Sequence, residues 1–117
     1  MKKIVLVEDD EAITDAFFLV SETMDWEVVS YTNGQEIFES RIEPPGLFIL
    51  DKNLPGIDGL DLCRFIKSHE HYKNVPVVII SASTNLAQTA PEAGADGWVT
   101  KPFKLAALKE EIGKYIS

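Results

Sequence analysis

Three short runs constrain this chain more than any other feature. Ile4–Val7, Leu47–Leu50 and Val75–Ile80 are apolar and rich in β-branched residues, with no polar interruption. A strand with one solvated face alternates apolar and polar residues. A continuous run signals burial on both faces, which is the habit of parallel sheets covered by helices. Glu27–Tyr31 and Gly97–Thr100 are shorter or more polar and predict edge strands.

Helical patterns fill the intervals. Ile13, Ala16, Phe17, Val20 and Met24 predict one buried stripe, and Leu62, Phe65 and Ile66 another, with Asp58 as its N-cap. Leu105, Leu108, Ile112, Tyr115 and Ile116 predict a third, after Pro102. Asn33-Gly34 opens a short helix to about Ile42, and Pro44-Pro45-Gly46 stops the chain before the next strand. Between Ser83 and Gly94, Pro91 predicts a short or irregular fourth helix, because proline inside a helix costs about 3 kcal/mol. Five strands alternating with helices predict a doubly wound α/β domain over residues 1–117. With right-handed crossovers the simplest strand order is 2-1-3-4-5.

That order places a topological switch point between strands one and three, where ligands bind beyond the carboxyl ends. Strand one ends at Glu8-Asp9-Asp10, and strand three at Asp51, straight after Phe48-Ile49-Leu50. Strand four ends at Ser81 and strand five at Lys101, followed by Pro102. A buried carboxylate is costly unless paired or liganded, and several together repel unless a cation intervenes. An oxygen-rich cluster suits Mg²⁺. A carboxylate nucleophile, a metal, a hydroxyl and an ammonium are the parts that receive and hold a phosphoryl group.

Composition narrows the alternatives. The chain has 117 residues, 45% of them hydrophobic, and 11 basic against 19 acidic residues give a net charge of -8. An acidic balance argues against wrapping nucleic acid or an anionic membrane. No stretch approaches a membrane span, and the start is expected not to be a signal peptide. The single cysteine, Cys63, permits no internal disulfide, fits a reducing, cytoplasmic setting, and is expected to pack in the core. His69 and His71 are two apart, share no helix face, and are not expected to bind metal. Phe18 falls outside the first stripe and is expected either to tuck against the fifth helix or to meet a partner.

The segments VLVEDDE (5–11), LDKNLPGIDG (50–59), IISA (79–82) and GADGWVTKPF (94–103) together resemble the receiver domains of two-component response regulators, over the whole chain. The resemblance implies a flavodoxin-like fold and a phosphoacceptor rather than an enzyme, one that assists its own phosphorylation and dephosphorylation. It implies Asp51 as the acceptor and Mg²⁺ as the cofactor. Asp9 is then a direct ligand, Glu8 acts through water, and Asn53 offers its carbonyl. Ser81 and Lys101 hold the phosphoryl oxygens, Ser81 and Trp98 form the switch, and Lys101–Pro102 is cis. Asn53 and Ser83 would influence hydrolysis. The donor would be a histidine kinase or a histidine phosphotransfer protein, acting on an output partner that the sequence leaves open. Two departures stand out: Trp98 replaces a smaller ring, and the segment of the fourth helix is short. The altered fourth helix leaves room for a pseudo-receiver, a protein-binding module that takes no phosphate, against which the intact site argues. A Mg²⁺-dependent phosphatase is a third alternative, but it usually has a second Asp where this chain has Asn53.

Overall fold

A computed structural model describes residues 2–116. The strands are β1 (Lys2–Val7), β2 (Trp26–Tyr31), β3 (Leu47–Asp51), β4 (Val77–Ser81) and β5 (Gly97–Thr100). The helices are α1 (Glu11–Met24), α2 (Gln35–Phe38), α3 (Gly59–Ser68), α4 (Leu86–Glu92) and α5 (Leu105–Gly113). All strand pairings are parallel, and the order is β2-β1-β3-β4-β5, as the alternating pattern predicts.

The uninterrupted runs are buried on both faces because each face has its own helical layer. Val5, Val7, Phe48, Leu50, Val77 and Ile79 pack under α2, α3 and α4. Ile4, Leu6, Ile49, Val78 and Ile80 pack under α1 and α5. Cys63 is fully buried in the first layer, and that burial lifts its thiol pKa to about 11. Tyr72, beyond the end of α3, fills the same layer and donates its hydroxyl to the Ile42 carbonyl at 2.7 Å.

Helix ends account for most departures from expectation. α2 stops at Phe38 rather than near Ile42, because Ser40 takes a left-handed φ of 56°. The Arg41 N–H reaches the Glu36 carbonyl and the Ser40 N–H reaches that of Ile37, which closes a Schellman motif. α4 is short, seven residues with Pro91 in the last turn, and Gly94 at φ 90° ends it in the same way. Met24 leaves the predicted stripe: it is exposed, because α1 ends there and Asp25 turns the chain at φ 57°. Ser21 and Trp26 are buried instead. Leu105 also faces out, at the first residue of α5 on the rim of the layer.

No described helix is long and apolar enough to cross a membrane. His69 lies at the C-cap of α3. Its ring stacks on Tyr72, its Nδ1 accepts the His71 N–H at 3.1 Å, and its Nε2 lies 2.9 Å from the Ser40 hydroxyl.

Candidate phosphoacceptor and metal site

The sheet register builds the site. Val7 pairs with Leu50, so one step further Glu8 comes level with Asp51. Asp51 in turn pairs with Ile80, and Ser81 with Thr100, the residue before Lys101. Parallel strands thus deliver two carboxylates, a hydroxyl and an ammonium to one edge of the sheet, at the switch point.

Glu8 is 1% exposed and Asp51 is 3% exposed, whereas Asp9 is open to solvent. One oxygen from each of the three lies within 4.8 Å of the others. Lys101 Nζ stands 3.4 Å from Glu8 Oε2 and 3.4 Å from Asp51 Oδ2. Backbone donors supply the rest: the Asp10 N–H reaches Glu8 Oε1 at 3.1 Å, and the Asn53 N–H reaches Asp51 Oδ1 at 3.2 Å. Two buried carboxylates thus share one ammonium through long contacts, with the Asp9 carboxylate beside them. Burial is the main force on Glu8 and lifts its pKa from 4.5 to about 7. The Asp10 N–H and Lys101 oppose that rise, while Asp51 adds to it.

The donor set fits a hard divalent cation: clustered carboxylate oxygens, one member facing water, and negative charge in excess. Asn53 is exposed and lines an open depression together with Asp9, Lys52 and Asp58. Ser81 is fully buried at the end of β4, and its Oγ accepts the Ser83 N–H at 3.0 Å. The Lys101 N–H donates to the Ser81 carbonyl at 2.8 Å, and the Lys101–Pro102 peptide is cis. Trp98 stands apart from the cluster, 36% exposed on β5.

Residues 4–113 match the family model described as the response regulator receiver domain. The chain belongs to the response-regulator receiver family. The transcriptional regulatory protein CseB of Streptomyces coelicolor is 38% identical over 112 residues, which cover 93% of this chain and 47% of that protein. The chain therefore spans about half the length of the curated relatives it matches. Among solved structures, the chemotaxis response regulator CheY4 of Vibrio cholerae shares the fold at a TM-score of 0.89 with 23% identity, covering 99% of each chain. The receiver domain of the sensor histidine kinase PA1611 from Pseudomonas aeruginosa has a TM-score of 0.84 and 26% identity, over 98% of this chain and 97% of that one. That structure has a magnesium ion coordinated in its active-site cleft. Receiver domains are modules of two-component signal transduction rather than conventional enzymes.

Two features of the receiver site escape a reading of the sequence. Asp10 is the N-cap of α1, its carboxylate accepting the Ala12 and Ile13 N–H groups; the Asp-x-x before an apolar stripe is the signal for it. Gly59, which closes the LDKNLPGIDG segment, is the buried first residue of α3. Its closest neighbour is a backbone atom of β3, a contact that only the folded chain reveals.

Proposed function

We propose that residues 1–117 form one receiver domain that accepts a phosphoryl group on Asp51 from a histidine kinase or a histidine phosphotransfer protein. The observation that carries this reading is the pair of buried carboxylates, Glu8 and Asp51, under-compensated by Lys101 at the switch point. Asp9 and Asp51 would ligate Mg²⁺ directly, Glu8 through water, and Asn53 through its carbonyl. Bound there, Mg²⁺ supplies neutralisation of the carboxylates and of the transferring group.

The Asp51 carboxylate oxygen attacks phosphorus in line. The P–N bond to the donor imidazole breaks as the P–O bond of the acyl phosphate forms, and positioning supplies most of the rate. The Ser81 hydroxyl proton is then available to a phosphoryl oxygen, because its oxygen already accepts from Ser83. Lys101, held only loosely by two carboxylates, moves to the new dianion. Ser81 and Trp98 carry the change outward and bias a two-state equilibrium. Water resets the site, at a rate that Asn53 and Ser83 influence. Phe18, 39% exposed on α1, is the docking contact for the donor. The acidic surface fits a cytoplasmic protein module without nucleic-acid contacts of its own, whose output lies in a partner or in further chain.

A small phosphodonor with Mg²⁺, followed by intact-mass and peptide mass spectrometry, tests this. One phosphoryl group on Asp51 is expected. No labelling would favour the pseudo-receiver, for which the short α4 speaks. Sustained turnover of external phosphoesters would favour a phosphatase.

A further inference from the structure

We propose that Gly59 is a positioning residue for the Asp51 carboxylate. Its missing side chain lets the start of α3 rest directly on the peptide that ends β3. A carbon attached to the Gly59 Cα would fall inside the van der Waals envelope of the Asp51 carbonyl oxygen. It would also lie 2.8 Å from the Asp51 carbonyl carbon and 2.9 Å from Lys52 Cα. These are backbone atoms of the last residue of a central strand and of the residue after it, so no rotamer change makes room.

The requirement is for space alone. Gly56 and Gly94 have positive φ values of 82° and 90°, where the backbone itself calls for glycine. Gly59 is not among the positive-φ residues.

The contact also closes a small frame. The Gly59 N–H donates to the Lys52 carbonyl at 2.7 Å, and Asn53 bridges to Asp58. Asp58 caps α3 by accepting the Leu60 N–H at 2.7 Å. The Asn53 N–H points back to Asp51 Oδ1. The start of the helix, the loop and the acceptor carboxylate are therefore one hydrogen-bonded unit resting on one glycine. The Asp51 Cα is bonded to the crowded carbonyl carbon, so any shift of that peptide moves the carboxylate relative to Glu8, Asp9 and Lys101.

This inference rests on Asp51 and its neighbours binding Mg²⁺, and the experiment keeps the two claims apart. Mg²⁺ affinity is measured by titration calorimetry, and the labelling rate with a small phosphodonor, on the parent and on Gly59→Ala. Gly113→Ala, with nothing within 4 Å of the added carbon, controls for the substitution type. Leu108→Ala, a cavity in the opposite layer, controls for lowered stability. Gly59→Ala is expected to lose about tenfold in Mg²⁺ affinity, the scale at which lost outer-sphere support weakens a metal site. Its labelling should fall in step, while both controls stay within about twofold of the parent on the same scale. Leu60→Ala loosens the first turn of α3 without adding a carbon near Asp51, and should weaken Mg²⁺ several-fold. It carries the test if Gly59→Ala does not fold. Parent-like affinity in the folded variants overturns the proposal. A parent that binds no Mg²⁺ overturns it together with the reading beneath it. A parent that binds Mg²⁺ but takes no label sinks the phosphoacceptor alone.

Discussion

Two lysine–carboxylate clusters sit at opposite ends of the same sheet. At the amino ends of β4 and β5, Lys67 Nζ meets Asp96 Oδ2 at 2.7 Å and the Val75 carbonyl at 2.9 Å. The same Asp96 oxygen takes the Val77 N–H at 2.9 Å. One charge faces one charge, and backbone groups complete the bonding. At the carboxyl ends, Lys101 is 3.4 Å from each of two nearly buried carboxylates, with Asp9 close by. The first cluster is short and neutral. The second is long, crowded and in excess negative charge. The lysine side chains are equally exposed, at 21%, but those of the acids are not: Asp96 is 41% exposed, against 0% for Glu8 and 5% for Asp51. Completeness differs as well: a saturated pair fastens α3 to the sheet, whereas buried carboxylates with too few partners suit a cation.

The sharpest way to break this contrast is to change one acid at each end. Asp51→Asn should reduce phosphodonor labelling to background, yet melt at or above the parent in the absence of metal, because one of three repelling charges is gone. Asp96→Ala should do the reverse. It labels normally but loses about 1–2 kcal/mol, because Lys67 and the Val77 N–H lose their acceptor. Mass spectrometry and urea titration of both variants decide it. Equal labelling of Asp51→Asn and parent would remove the distinction between the ends.

Mg²⁺ gives the next largest difference. At roughly 100 times its Kd it should stabilise the folded protein by about 2.7 kcal/mol. Asp9→Ala should abolish that gain, and Lys67→Met should keep it while starting from a lower melt. Thermal melts with and without Mg²⁺ show both. A gain surviving in Asp9→Ala would place the metal elsewhere.

The sequence made one end of the sheet far more legible than the other. The carboxyl-end groups stand out together: Glu8 and Asp9 alone would pass for solvated loop acids, but Asp51 straight after Phe48–Leu50 and Lys101 after β5 fall at matching strand ends. Strand order then brings them together. The Lys67–Asp96 pair is invisible by the same logic, since each looks like an ordinary surface charge and only register sets them side by side. Helix interiors followed periodicity, and helix ends did not. Met24 and Leu105 fit their stripes by angle, yet they lie where the helix overhangs its layer. α2 ended early through the left-handed Ser40, a conformation that the sequence does not announce at a serine.

A smaller effect is a dependence on pH that belongs to the carboxyl end alone. The Glu8 pKa is about 7 in the folded protein against an ordinary 4.5, so folding takes up a proton between those values. Its contribution to stability is complete below about 4.5 and is lost as pH rises through about 7. In a chelator, urea midpoints should therefore fall across that window, and Glu8→Gln should flatten the fall. Asp96→Asn should leave it in place. Mg²⁺ affinity should rise over the same window, because the metal binds the ionised cluster. A midpoint that rises with pH in the chelator would contradict the burial of Glu8 as the dominant force.

The smallest effect separates bond length from strength. Arg64 Nη1 meets Asp61 Oδ1 at 2.7 Å, the same distance as Lys67 to Asp96. The side chains, however, are 52% and 61% exposed, and no backbone group joins them. In water the Coulombic gain is offset by solvation and by the entropy of holding two side chains. Arg64→Gln should thus change stability by no more than about 0.5 kcal/mol, and salt should shrink even that. Asp61 stays in the first turn of α3, so its favourable interaction with the helix dipole is untouched by this substitution. Double-mutant cycles for the two pairs measure the contrast directly. The Lys67–Asp96 coupling should exceed the Arg64–Asp61 coupling, because its donor also bonds the Val75 carbonyl and its acceptor the Val77 N–H at the start of β4. Equal couplings would mean that distance alone ranks these pairs, and that the completeness of the bonding at the amino end of the sheet adds nothing.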